Sequence, residues 1–114
     1  MGTHCMIAIE DKDGSVRYIF CHYNGFPAHM VPLLKKHYMT REGVNHLLSE
    51  GGIVSLEDGI MDRHESRMEW AKDRQAFMSE WRMTLSVPYL YIFTQDDEWL
   101  CCCNRNMPIH EILP

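Results

Sequence analysis

Two groups of side chains in this chain have the types and spacing to do chemistry. The first gathers near the N-terminus: His4, Cys5, Cys21 and His22, followed by the turn Tyr23-Asn24-Gly25-Phe26-Pro27. A thiolate beside an imidazole, with a third group orienting the base, is the arrangement of Cys-dependent nucleophilic catalysis. Adjacent strand residues point to opposite faces, so Cys21 and His22 cannot serve each other. Cys5 with His22, or Cys21 with His4, could meet across a hairpin, and a small Cys/His hydrolase is one reading. Catalysis by an N-terminal Cys does not suit Cys5, since removal of Met1 leaves Gly2 in front. The plainer reading is an Asn-Gly turn fixed by its backbone requirements. On that reading His22, Tyr23, Asn24 and Phe26 are available to a partner or ligand.

The second group is Arg63, Arg67 and Arg74 beside Trp70, Phe77 and Trp81. Guanidinium forks bind phosphate bidentately and an indole face stacks a base, so the set could hold a nucleotide. It could equally form a protein interface, because Trp and Arg are enriched at hot spots. The structural alternative is that the Arg stems cover the edge of the core while their heads reach solvent or acidic partners.

Metal chemistry is not indicated. The cysteines Cys5, Cys21, Cys101, Cys102 and Cys103 contain no CxxC pair, and their odd number makes a poor disulfide framework. The histidines His4, His22, His29, His37, His46, His64 and His110 contain no HExxH spacing. No metal and no cofactor are expected. The reduced thiols read as small buried hydrophobes in strands.

Elements must position these residues. Cys5–Glu10 and Val16–Tyr23 flank Asp11-Lys12-Asp13-Gly14 and read as a β-hairpin. Asn24-Gly25-Phe26-Pro27 stops the second strand. A helix follows from about Ala28, with Pro32 near its start and Leu33, Leu34 and Tyr38 as its apolar positions. Thr40 is a plausible N-cap for a second helix that buries Val44, Leu47 and Leu48 and ends at Gly51-Gly52. Ile53–Gly59 reads as a connector. Met61–Trp81 lacks Gly and Pro and projects Trp70, Phe77, Met78 and Trp81 to one side, which predicts one long amphipathic helix. Val87–Thr94 and Trp99–Cys103 read as a second hairpin, and Met107–Leu113 as a final strand or one helical turn. Strands grouped apart from helices mean α+β. The expected architecture is a single domain over residues 1–114, with a four-stranded antiparallel sheet of two β-hairpins and three helices inserted between them, packed on one face.

Composition removes several classes. Sixteen acidic residues against eleven basic ones give a net charge of −5, which speaks against direct duplex DNA binding. No apolar run approaches the ~18–20 residues of a bilayer span, and no basic segment leads into a signal-like one. A cytoplasmic setting without membrane attachment is expected.

The segment Arg17–Tyr38 (RYIFCHYNGFPAHMVPLLKKHY) resembles a family of small phage and prophage proteins with a strand, a His-aromatic-polar-Gly-aromatic-Pro turn, and a helix ending in Tyr. The resemblance continues through Thr40-Arg41-Glu42-Gly43-Val44. It returns at Tyr89–Phe93 with its Tyr-x-Tyr-x-Phe strand, then at Asp96–Trp99 with an acidic turn and Trp. The chain departs at Tyr23-Asn24, where Trp-Asp is expected, and at Ala28-His29-Met30, where small residues with a Gly are usual. The resemblance implies a phage origin and a host cytoplasm. By setting, it implies a non-enzymatic accessory protein that inhibits a host defence or regulatory protein by direct binding, of anti-CRISPR, anti-restriction or other anti-immune type. A nucleotide-signal-sequestering protein with an Arg-aromatic pocket is the alternative, and homo-oligomeric assembly is compatible with either.

Overall fold

A computed structural model describes residues 3–49, 51–57, 61–63, 66–84, 87–102 and 110–111, the side chains of Met61, Asp62, His110 and Glu111 excepted. Cys103 lies outside the described residues. The first hairpin forms as its turn chemistry predicts. Strands β1 (Cys5–Glu10) and β2 (Val16–Cys21) pair antiparallel, from Glu10 opposite Val16 to Cys5 opposite Cys21. Gly14 takes φ 93° in the turn, a conformation open to Gly and strained for residues with a Cβ. Helix α1 (Pro27–His37) starts on Pro27, whose fixed φ suits a first turn. Helix α2 (Arg41–Leu48) is capped by Thr40, whose hydroxyl accepts from Gly43 N.

The stretch after α2 departs from expectation. Met61–Trp81 is not one helix: it divides into strand β4 (Met61–Arg63), strand β5 (Glu69–Ala71) and helix α3 (Arg74–Met83). The expected connector contains strand β3 (Ile53–Leu56), which pairs parallel with β2 at Cys21 and antiparallel with β4. The physical reason lies in β2. Its outer edge presents unpaired backbone groups, and β5 satisfies those at Val16–Tyr18 while β3 takes the Cys21 end. Sheet hydrogen bonds to a waiting edge outweigh the helical propensity of the segment. The helical period is genuine only in the C-terminal half, where Phe77, Met78 and Trp81 are buried. Asp73 sets the boundary, accepting from Ala76 N through its carboxylate at 2.8 Å. Asp73→Ala should cost about 1 kcal/mol of stability, measured by chemical denaturation, because the cap serves a helix that carries half of one core.

Strands β6 (Tyr89–Phe93) and β7 (Trp99–Cys102) form the second hairpin as expected, and β8 (His110–Glu111) settles the ambiguous tail as a strand beside β7. The two hairpins join through β1 and β6, which run parallel, so the sheet is mixed rather than antiparallel. Its order is β4-β3-β2-β1-β6-β7-β8, with β5 beside β2. The α+β class holds; the four-stranded antiparallel form does not.

The helices also occupy both faces rather than one. Alternate β1 residues divide between two cores, as the pleat requires. Cys5, Ile7 and Ile9 face Met30 and Leu34 of α1 and Val44, Leu47 and Leu48 of α2. Met6 and Ala8 face Phe77, Met78 and Trp81 of α3. The fully buried β1 is the consequence: a strand covered on both faces reads as an apolar run, not as alternation.

Candidate functional site

The hairpin register decides the thiol-imidazole question. Cys5 lies opposite Cys21, and one step further the rings of His4 and His22 meet edge to face, centroids 5.3 Å apart. Like therefore pairs with like. Cys5 and Cys21 belong to the core under α1 and α2, while His4 and His22 lie on the opposite face. The Cys5–His22 and Cys21–His4 contacts required by the hydrolase reading are not formed. Burial pushes the Cys5 thiol well up from its ordinary value, with Cys21 and Cys101 close by. A buried thiol held in its protonated form packs; it does not attack. Among the described residues, no three His, Cys, Asp or Glu side chains gather as metal ligands.

The turn after β2 is held tightly from behind and open in front. Asn24 takes φ 58°, as Asn tolerates. Gly25 N donates to Thr3 O at 2.8 Å, and the buried Tyr91 hydroxyl donates to Gly25 O at 2.8 Å. A Cβ at Gly25 would stand 2.8 Å from both Cys5 Cβ and Thr3 O, backbone-level neighbours that cannot rotate away. Gly25→Ala should therefore destabilise the protein by about 2–3 kcal/mol, with the loss read as a lowered Tm. On the outer side Tyr23 and Phe26 are exposed, and Phe26 leans on His29, whose Nε2 lies 2.6 Å from Leu56 O.

The arginine-aromatic set does not assemble. Arg63 Nη1 donates to Leu47 O at 2.8 Å and Gly51 O at 3.3 Å, closing the C-terminal end of α2. Arg74 reaches the other way and forks onto the Glu10 carboxylate at 2.6 and 3.1 Å. Glu10 is nearly buried, and its Oε1 also accepts from Gln95 N. Phe77 and Trp81 are core residues. Two members remain at the surface: Arg67 is exposed, and Trp70 on β5 is 65% exposed, with Met68 partly exposed beside it. The separation follows from the broken helix, since strand residues 67–70 and helical residues 74–81 no longer share one face.

Arg41 carries a role for which its position gives no periodic signal. Its guanidinium donates to Glu10 O, Thr94 O and Asp97 Oδ1, and lies 5.6 Å over the Phe93 ring. Arg17 forks onto Asp11 and also reaches Asn45. Four described arginines (Arg17, Arg41, Arg63 and Arg74) thus tie strands and helices together.

A cavity of about 400 Å³ lies on the α3 side of the sheet, lined by His4, Phe20, His22, Ser66, Thr84 and Val87. The hairpin supplies its first three walls through the same register that pairs the two imidazoles. Ser66 is set in place by Gly52: Gly52 N donates to Ser66 O at 2.8 Å, and a Cβ on Gly52 would overlap the Ser66 hydroxyl. Of these residues the sequence singles out His22 alone. The hairpin register could have paired it with His4, but nothing in the sequence marks Ser66, Thr84 or Val87. No protein-family model, curated protein or solved structure matches this chain.

Proposed function

We propose that this protein is a non-enzymatic phage accessory protein that inhibits a host defence or regulatory protein by binding it directly. The observation that carries the reading is Trp70. A Trp 65% exposed on a three-residue edge strand, flanked by Met68 and Arg67, is costly to leave in water and is the residue type that anchors interfaces. On its outer side β5 has no strand partner among the described residues, which suits addition of a partner strand. The phage setting comes from the resemblance over Arg17–Tyr38, Thr40–Val44 and Tyr89–Trp99. The host cytoplasm follows from that setting, and no helix among the described residues is long and apolar enough to cross a membrane.

The nucleotide-sequestering alternative relied on arginines and aromatics sharing one face. Arg63 and Arg74 are instead committed to Leu47 O and Glu10, and the hydrolase alternative lacks its Cys–His contact, so neither is carried forward. The test is affinity capture from host lysate with the wild-type protein and with Trp70→Ala. Stoichiometric recovery of one host protein by the wild type, with loss in the variant, supports the reading. A partner retained in full by Trp70→Ala, or no stoichiometric partner at all, overturns it.

A further inference from the structure

The cavity between β2 and the end of α3 has no part in the proposed interface, and its lining points to a specific ligand chemistry. None of His4, Phe20, His22, Ser66, Thr84 and Val87 carries a permanent charge. A phosphate or carboxylate placed there would lose its hydration with no fixed countercharge to replace it. The walls are mainly apolar through Phe20 and Val87, yet they bring imidazole and hydroxyl groups to one space. A neutral imidazole offers one N–H donor and one acceptor nitrogen, and a hydroxyl adds either role.

Geometry narrows the class further. The two imidazoles stand at 89° to each other, so where one presents its face the other presents its edge. A flat ring lying in the cavity can stack on one imidazole while its own edge hydrogen-bonds to the other. The volume of about 400 Å³ falls within the range of small-molecule sites. Gly52 contributes by excluding its own side chain, which keeps the Ser66 hydroxyl against the wall.

We infer that this cavity is a binding site for a small, uncharged, planar heteroaromatic molecule with a donor and an acceptor on one edge. The site stands independently of the Trp70 surface, so failure of either leaves the other to be judged on its own test.

The experiment is titration of the full chain with adenine, and separately with AMP, followed by amide chemical shifts. Adenine should move the resonances of His4, Phe20, His22, Ser66, Thr84 and Val87 saturably. AMP, which carries the same ring with a charged group, should bind about ten-fold more weakly, or worse. Thr84→Trp, which fills the cavity, should reduce adenine affinity by at least about ten-fold, and His4→Ala by several-fold. Trp70→Ala should leave adenine binding unchanged. The inference is overturned if adenine moves none of these resonances, if AMP binds as tightly as adenine, or if His4→Ala keeps full affinity. His4→Ala decides the matter even if Thr84→Trp fails to fold, because His4 precedes β1 and lies outside both cores.

Discussion

Trp81→Ala should destabilise the protein by about 3–5 kcal/mol, while Trp70→Ala should change stability by no more than about 0.5 kcal/mol. The two residues look alike in the sequence and are opposite in the structure. Trp81 is fully buried among Phe77, Tyr18 and the β1 residues Met6 and Ala8, so its removal opens a cavity in the core under α3. Trp70 leaves most of its indole in water, so truncation takes away little native packing. Binding should invert the order. If Trp70 anchors the partner, its loss should weaken the complex by about 2 kcal/mol or more, roughly thirty-fold in Kd. Urea unfolding of both variants, with partner affinity by calorimetry, checks both halves. A Trp70→Ala protein that melts early but binds normally would reverse the assignment.

The second large effect concerns Glu10, where β1, α2, α3 and the turn after β6 converge. Its carboxylate accepts the Arg74 fork and Gln95 N, and its carbonyl accepts Arg41. The two ends of the Glu10–Arg74 pair differ in exposure: the Glu10 side chain is 10% exposed and that of Arg74 is 38%. Arg74→Ala strands a nearly buried carboxylate and should cost about 2–3 kcal/mol. Glu10→Gln keeps an acceptor for Gln95 N and leaves the Arg74 head free to reach water, so its cost should be about 1 kcal/mol. The double variant should lose less than the sum, because the stranded charge is gone. Denaturation of the three variants checks the ordering, and a Glu10→Gln protein less stable than Arg74→Ala would contradict it.

The segments on which the phage resemblance rests meet in space. Tyr91 of the Tyr-x-Tyr-x-Phe strand donates to Gly25 in the turn. Trp99 Nε1 donates to the carbonyl of Tyr38 at the end of α1. Arg41, just after the Thr40 cap, donates to Asp97 in the acidic turn. Residues far apart in the chain are recognisable together because they satisfy one another's buried polar groups, which makes them chiefly determinants of the fold. The proposed partner surface at Trp70 lies outside them, in the segment that the resemblance does not cover.

Turn chemistry and caps were legible without the structure: Gly14, Asn24-Gly25, Pro27 and Thr40 each act where local backbone requirements put them. Such signals are short-range, and a few residues suffice to state them. The candidate site was less legible. Tyr23, Asn24 and Phe26 do sit on an accessible turn, but the arginine-aromatic stripe depended on one helix between 61 and 81. Amphipathic spacing in that window cannot report that β2 has an open edge waiting for Glu69–Ala71.

The sequence by itself determined the α+β class, both hairpins, two of the helices in full and the C-terminal half of the third. Local propensity and the pleat's period of two encode these within a dozen residues. Only the tertiary structure decided that β1 and β6 run parallel, that helices cover both faces, and that Cys5 meets Cys21 while His4 meets His22. Those outcomes depend on which edges pair and in what register. Edge pairing is a competition among distant backbone groups for the same hydrogen bonds, and no local window of sequence contains both competitors.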